Sequence, residues 1–253
     1  MKLCLLAAGF AKRMYPLTRD RAKPLLEVGG APMLTRLLEQ ARGTGAIDHT
    51  AAILASRFAN EFEAWNAALD EPVELLPNGA TVDSEARGAV ADLAMLLEQC
   101  FPDGSEDGYL VLAGDNLLRF DLAEPLAMFR ERPSAPLLLV RSVPVPIPPG
   151  KYSEVVVDPA SCEVTSFREK PTDPESPWSA IGVYFLPPDL PELLDAYLAA
   201  GGEADAPGHF LVWLTKVRRC YAWGVPDEGW FDVGSLEGLE EARALAAAWQ
   251  SRA

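Results

Sequence analysis

Short apolar runs that stop abruptly at small or acidic turn residues constrain this chain more than any other feature. Leu3 to Ala7 ends at Gly9, and Tyr109 to Ala113 ends at Gly114-Asp115-Asn116. Thr50 to Ala55 and Val73 to Leu76 read the same way. Unbroken runs of this length suit strands buried on both faces of a parallel sheet. Helical patterns lie between them. One starts near Pro32, carries Leu34, Leu37, Leu38 and Ala41 at i, i+3, i+4 and i+7, and closes at Gly43. Others span Phe58 to Leu69 and Ala89 to Cys100, the latter with Val90, Leu93 and Leu97 on one face. A fourth is capped by Asp121 with Glu124 and runs to about Arg132.

This alternation predicts an α/β fold: a Rossmann-like, doubly wound, mostly parallel mixed sheet in one unit spanning 1–253. Ligands of such sheets bind outside the carboxyl ends of the strands, where the Gly9 loop, Asn78-Gly79 and Asp115 fall. The pattern changes after the proline-rich stretch Val143 to Pro149. Strands near 153–157 and 163–167 are joined by a turn. A strand near 179–186, two helices, short strands near 220–223 and 230–233 and a final helix from about Ser235 follow, with adjacent strands lacking crossover helices. They predict a mixed edge and a smaller acceptor-binding half at about 143–253, against a nucleotide-binding half at about 1–142.

The net charge of −15 argues against general binding to nucleic acid or anionic membranes. Cys4, Cys100, Cys162 and Cys220 form no C-x-x-C, and His49 and His209 are the only histidines, so zinc spacing is absent. The apolar start is followed at once by Lys12 and Arg13, so it reads as a first strand, not a signal peptide. No run suits a membrane span. The expectation is a cytoplasmic protein without a fused second domain; oligomeric state is not readable.

An acidic protein that binds a polyphosphate needs a local cationic patch. Residues 12–23 hold five cations, Lys12, Arg13, Arg19, Arg21 and Lys23, where an even spread would put about one. They follow a strand feeding a small-residue turn, whose backbone N–H groups can cradle phosphate oxygens. The segment is neither a P-loop nor a G-x-G-x-x-G fingerprint, since Tyr15 and Ala11 occupy the required glycine positions. Asp115, at the end of a buried strand, can hold Mg²⁺ through oxygen. Asp232 is its natural partner, because a carboxylate among Trp230, Phe231 and Val233 is costly unless paired or metal-bound.

Residues 6–25 resemble the opening motif of the sugar-1-phosphate nucleotidyltransferases, L-A-A-G-x-G-x-R-x-x-P-L-T followed by P-K-P-L. Leu6 to Gly9, Arg13, Pro16-Leu17-Thr18 and Lys23-Pro24-Leu25 match in order and spacing. Ala11 replaces the second glycine, where alanine serves if the backbone angles are ordinary, and Ala22 replaces the first proline. The resemblance continues through Gly114-Asp115, Glu169-Lys170-Pro171, Ile181 to Phe185 and Trp230 to Ser235, nearly the whole chain.

The resemblance implies transfer of a nucleoside monophosphate from a nucleoside triphosphate, dTTP or UTP favoured, to a sugar 1-phosphate with release of pyrophosphate. It implies catalytic roles for Arg13, Lys23 and Asp115. Leu6, Ala8, Gly9, Phe10, Ala11, Lys12, Arg13, Asn78, Gly88 and Asp115 would bind the nucleotide. Asn116, Glu169, Lys170 and Gly182 would bind the sugar phosphate, and Asp115 with Asp232 would hold Mg²⁺.

Three other readings stand beside it. A cytidylyltransferase acting on phosphocholine would need an aromatic cage, which Trp178, Tyr184, Trp223 and Trp230 could supply. A non-catalytic nucleotide-sugar-binding protein would keep the pocket without the chemistry. A glycosyltransferase would usually show D-x-D, whereas Asp115 is followed by Asn116 and Leu117.

Overall fold

The computed structural model describes residues 1–250, apart from the side chains of Asp232 and of residues 247–250. Strand β1 (Lys2–Ala7) is the centre of a nine-stranded sheet. It pairs in parallel with β4 (His49–Leu54) on one side and β6 (Tyr109–Ala113) on the other. Beyond β4 lies β5 (Glu74–Pro77), also parallel. The register sets Ala7 against Leu54, Leu54 against Pro77 and Leu6 against Ala113. These strands therefore end at one rim.

Alternation along β1 explains the layers. Leu3, Leu5 and Ala7 enter one apolar core, and Cys4 enters the other. The first core is covered by α1 (Met33–Gly43), α2 (Ala59–Ala67) and α4 (Ala123–Glu131). The second is covered by α3 (Ala89–Cys100), α5 (Leu190–Ala199) and α6 (Pro207–Val217). Each fully buried leucine or phenylalanine removes apolar surface worth about 1.5–3 kcal/mol from water. No helix among the described residues is long and apolar enough to cross a membrane.

The second half extends the same sheet. Strand β11 (Trp178–Leu186) pairs antiparallel with β6, and β8 (Leu137–Ser142) and β9 (Glu154–Val157) pair antiparallel with β11. Strand β10 (Val164–Arg168) pairs with β9, and β12 (Tyr221–Gly224) pairs in parallel with β8. Both reversals turn the amino-terminal end of β11 and the carboxyl end of β8 toward the rim where β6 ends.

The sequence patterns did not reveal β8. Nor did they reveal the hairpin β2 (Glu27–Val28) and β3 (Ala31–Pro32), or β7 (Asn116–Leu118). Strand β7 pairs antiparallel with β13 (Trp230–Asp232), which sets Asp232 against Asn116. Helix α7 (Leu236–Gln250) packs Leu239, Ala242 and Ala246 into a third core with Met14, Val28 and Leu117.

Candidate active site

The rim of the sheet opens into a cleft of about 420 Å³. The β1 turn supplies Leu6, Ala8, Gly9, Phe10 and Ala11; Arg13, Lys23, Gly88 and Asp115 also line the cleft. Nine of the residues expected from sequence thus share one cavity. A Cβ added at Gly9 would meet nothing within 4 Å, so the turn leaves its backbone open to the cleft.

Ala11 sits at φ 46°, ψ 43°. The expectation of ordinary backbone angles therefore fails, and a left-handed alanine costs roughly 1–2 kcal/mol. Its carbonyl accepts a hydrogen bond from Thr18 Oγ1 at 2.8 Å, which ties the turn to the loop beyond it.

Tight approach of β1 and β6 fixes Asp115. Gly114 N donates to Leu6 O at 2.8 Å, and a Cβ on Gly114 would lie 3.1 Å from that oxygen and 3.3 Å from Pro24. This close fit brings Asp115 to Lys23, whose Nζ donates to Asp115 Oδ2 at 2.8 Å. The Lys23 side chain is 8% exposed and that of Asp115 44%.

The five-cation patch divides. Arg13 and Lys23 line the cleft, while Lys12 pairs with Asp83, Arg21 with Glu61 at 3.4 Å, and Arg19 lies 5.8 Å over the Tyr15 ring. Among the described residues no carboxylate pairs with Arg13.

The far end of the cleft is shaped by contacts that spacing does not reveal. Gly88 has φ +93°, and a Cβ there would run into the backbone of Ala204 and Asp205. The glycine thus admits the chain's own backbone. Ala89 N donates to Asp205 O at 2.6 Å and Val90 N to Ala204 O at 3.0 Å, so the loop before α6 caps α3. Asp205 and Pro207 close the cleft on that side.

Asn78 does not reach the cleft. It is 2% exposed, and its Nδ2 donates to Asp92 Oδ1 at 3.0 Å. Asp92 does line the cleft, and its burial raises its pKa against the opposing bond from Asn78. Sequence reading missed Asp92 and Asp205. The available signal was a carboxylate one turn ahead of the buried Leu96, among the apolar residues Val90, Leu93 and Leu97 of α3.

The residues expected to meet the sugar phosphate lie beside the cleft. Asn116 is buried and accepts a hydrogen bond from Trp230 Nε1 at 2.7 Å. Gly182, at φ +76°, sits at a register shift in β11, and a Cβ there would lie 3.0 Å from Ala113 and 3.3 Å from Asn116 Nδ2. Glu169 packs against Gly208 in the first turn of α6 and lies 3.5 Å from Lys170 Nζ. Lys170 itself has a left-handed φ of 45°.

The four aromatic residues expected of a choline cage do not gather. Tyr184 and Trp178 pack on one core, Trp223 and Trp230 on the other. The face of Trp230 is covered by Arg141, 4.5 Å from its centroid.

Magnesium suits the one described carboxylate that both lines the cleft and adjoins Lys23. Mg²⁺ is commonly held by one or two carboxylates plus substrate phosphates, with waters completing the shell. Asp115 offers such an oxygen, half-exposed and at hydrogen-bond distance from an ammonium. Among the described residues no cluster of three His, Cys, Asp or Glu side chains could hold a metal alone. The side chain of Asp232 lies outside the described part; its backbone sits one strand from Asn116.

A family model described as nucleotidyl transferase matches residues 2–248. The chain belongs to the nucleotidyl transferase family. Among family members it is 29% identical over 249 residues to the glucose-1-phosphate thymidylyltransferase of Streptomyces griseus, covering 97% of this chain and 66% of that protein. It is 27% identical over 245 residues to the UTP–glucose-1-phosphate uridylyltransferase of a Synechocystis strain, covering 93% and 61%. The mannose-1-phosphate guanylyltransferase 1 of Arabidopsis thaliana is 26% identical over 239 residues, covering 92% and 61%. The chain thus spans 61–66% of the length of these relatives. A Bacillus anthracis chain provisionally assigned as a glucose-1-phosphate thymidylyltransferase, solved with sucrose, shares the fold. Its TM-score is 0.79 at 22% identity, covering 97% of this chain and 95% of that one.

Proposed function

We propose that this nucleotidyl transferase moves a nucleoside monophosphate from a nucleoside triphosphate to a sugar 1-phosphate and releases pyrophosphate. One observation carries the reading. The open Gly9 turn, Arg13, Lys23 and Asp115 face a single cleft at the strand ends.

The attacking group is the acceptor's phosphate, whose second ionisation lies near pH 6 by analogy with phosphorylated side chains, so no general base is needed. What the reaction demands is that two anions meet in line. The turn amides and Arg13 would hold the β- and γ-phosphates. Lys23 would exchange its bond with Asp115 for one to the α-phosphoryl oxygen or the acceptor phosphate. Its near-complete burial makes that charge strong where it is needed. Asp115, with Asp232, would hold Mg²⁺, which would supply positive charge to offset the negative charge developing on the leaving pyrophosphate.

The proposed acceptor half brings Asn116, Gly182, Glu169 and Lys170 against the sugar phosphate. The relatives' names put UTP, dTTP and GTP first among donors, with glucose or mannose 1-phosphate as acceptor; the favoured pair is dTTP or UTP with glucose 1-phosphate. A matrix of nucleoside triphosphates against sugar 1-phosphates, scored by pyrophosphate with Mg²⁺ present, tests this. One pair should release pyrophosphate, and excess EDTA should stop it. Silence across the whole matrix sinks the transferase reading, and turnover that survives EDTA sinks the metal role.

A further inference from the structure

We infer that Arg141 binds an oxyanion of the acceptor molecule, through the N–H donors of a guanidinium held against two aromatic rings. The inference rests on the transferase reading for the identity of the acceptor, though not for the site's geometry.

Arg141 lies near the carboxyl end of β8, across from Ser179 of β11. Strand β8 runs parallel to β6, so Arg141 stands at the rim where Asp115 stands. Its Cζ is 4.5 Å from the Trp230 centroid and 5.0 Å from the Tyr152 centroid. Trp230 in turn donates through Nε1 to Asn116 Oδ1 at 2.7 Å. One aromatic ring therefore links Arg141 to the residue that follows Asp115.

Tyr152 is anchored as well. Its neighbour Ser153 approaches Ser179 Oγ at 3.1 Å and accepts from Ala180 N at 3.1 Å. The clamp is thus built from three strands and a loop, and does not depend on a flexible side chain finding its own place.

Contact with aromatic rings holds the guanidinium without using a carboxylate, and a guanidinium carries five N–H donors. Among the described residues the one hydrogen bond Arg141 makes is from Nη1 to Ser142 O, at 3.4 Å. Among the described residues no carboxylate pairs with it. Most other arginines in this acidic chain have found a carboxylate or a backbone carbonyl. An arginine pre-oriented by two rings, with its N–H donors at an active-site rim, suits a planar or tetrahedral oxyanion. The anion has two possible sources on one acceptor: the 1-phosphate itself, or a second acidic group such as a uronic acid carboxylate.

The test uses the full chain, Arg141→Gln and Arg141→Lys, with glucose 1-phosphate and glucuronic acid 1-phosphate as acceptors. Arg141→Gln should raise the acceptor KM by roughly 10- to 100-fold, the loss of a charge-assisted bond, and leave the nucleotide KM within about twofold. A rise for both acceptors identifies the 1-phosphate as the ligand. A rise confined to the glucuronic acid compound identifies the second acid. An unchanged acceptor KM, or an equal rise for the nucleotide, overturns the inference.

If the glutamine variant fails to fold, the lysine variant decides. It keeps the charge and loses the planar edge, so its acceptor KM should rise several-fold, and no rise overturns the proposal. Titration of either acceptor followed by tryptophan fluorescence, to which Trp230 contributes as one of six tryptophans, reads binding without turnover. Should the enzyme release no pyrophosphate from any pair, a fluorescence change abolished in Arg141→Gln still supports the site. A response identical in both proteins, or none in the parent chain, refutes it.

Discussion

Lys23 is an ammonium with almost no water, and among the described residues Asp115 is the one carboxylate bonded to it. The two residues are not equivalent in cost. Removing the carboxylate charge strands a buried cation, whereas removing the cation leaves a half-exposed carboxylate that water can solvate. Asp115→Asn should therefore lower both turnover and stability: about 100-fold in kcat, the usual effect of losing one preorganised electrostatic contact. The stability loss should be about 1 kcal/mol, reduced from the fully buried case because Asp115 is exposed. Lys23→Met should lower kcat similarly while leaving Tm unchanged or raised. Thermal melts beside initial rates check the asymmetry, and a larger Tm loss for Lys23→Met than for Asp115→Asn would contradict it. At this scale the sequence was informative about identity and poor about partners. Arg13 and Lys23 were legible as part of a cationic loop, and both line the cleft, yet nothing in the spacing separated them from Lys12 and Arg21, which the fold turns toward Asp83 and Glu61.

Elements that repeat a local pattern were legible, and elements that exist through distant partners were not. Helices α1 and α3 follow from their apolar spacing, and β1 and β6 from unbroken apolar runs. Strand β7 has three residues and exists because β13, more than a hundred residues later, pairs with it. Strand β8 feeds straight into a proline-rich stretch that hides it, and it is specified by β11 and β12. The loop after Lys170 is a further case. Glu154, 3% exposed, accepts from Arg168 Nε at 2.5 Å and from the amides of Glu175 and Ser176, while Arg168 also bonds Asp173 at 2.9 Å. Burial pushes the Glu154 carboxyl up, but these bonds outweigh it and leave the pKa below its ordinary 4.5. A lowered carboxyl pKa gives stability that is complete above the unfolded value and disappears as pH falls through the folded one. Glu154→Gln should therefore cost about 1–3 kcal/mol near pH 7, since it weakens charge-assisted bonds to a buried acceptor. The gap to the parent protein should close progressively below about pH 4.5, the ordinary carboxyl value. Melts from pH 3 to 8 test this, and a gap independent of pH would show that the carboxylate charge plays no part.

The whole molecule poses an electrostatic conflict. It carries a net charge of −15, yet its proposed substrates are polyanions. Close to the site, Arg13, Lys23 and the turn amides prevail, because short contacts in a partly dry cleft are weakly screened. Farther out, the acidic surface repels, and that repulsion depends on salt: the Debye length is about 30 Å at 0.01 M and about 8 Å at 0.15 M ionic strength. Composition alone implies the conflict, but geometry decides its outcome, since only two of the five loop cations line the cleft. With so little cationic surface to steer a nucleotide inward, encounter should be hindered at low salt. Raising KCl from low to physiological strength, with Mg²⁺ kept saturating, should thus increase kcat/KM for the nucleoside triphosphate by up to a few-fold. Above that range the contacts in the cleft weaken and the rate should level or decline. An enzyme steered by a basic face would show the opposite slope from the start. A fall in kcat/KM from the lowest salt onward would mean that the cleft's positive field reaches past the acidic surface around it.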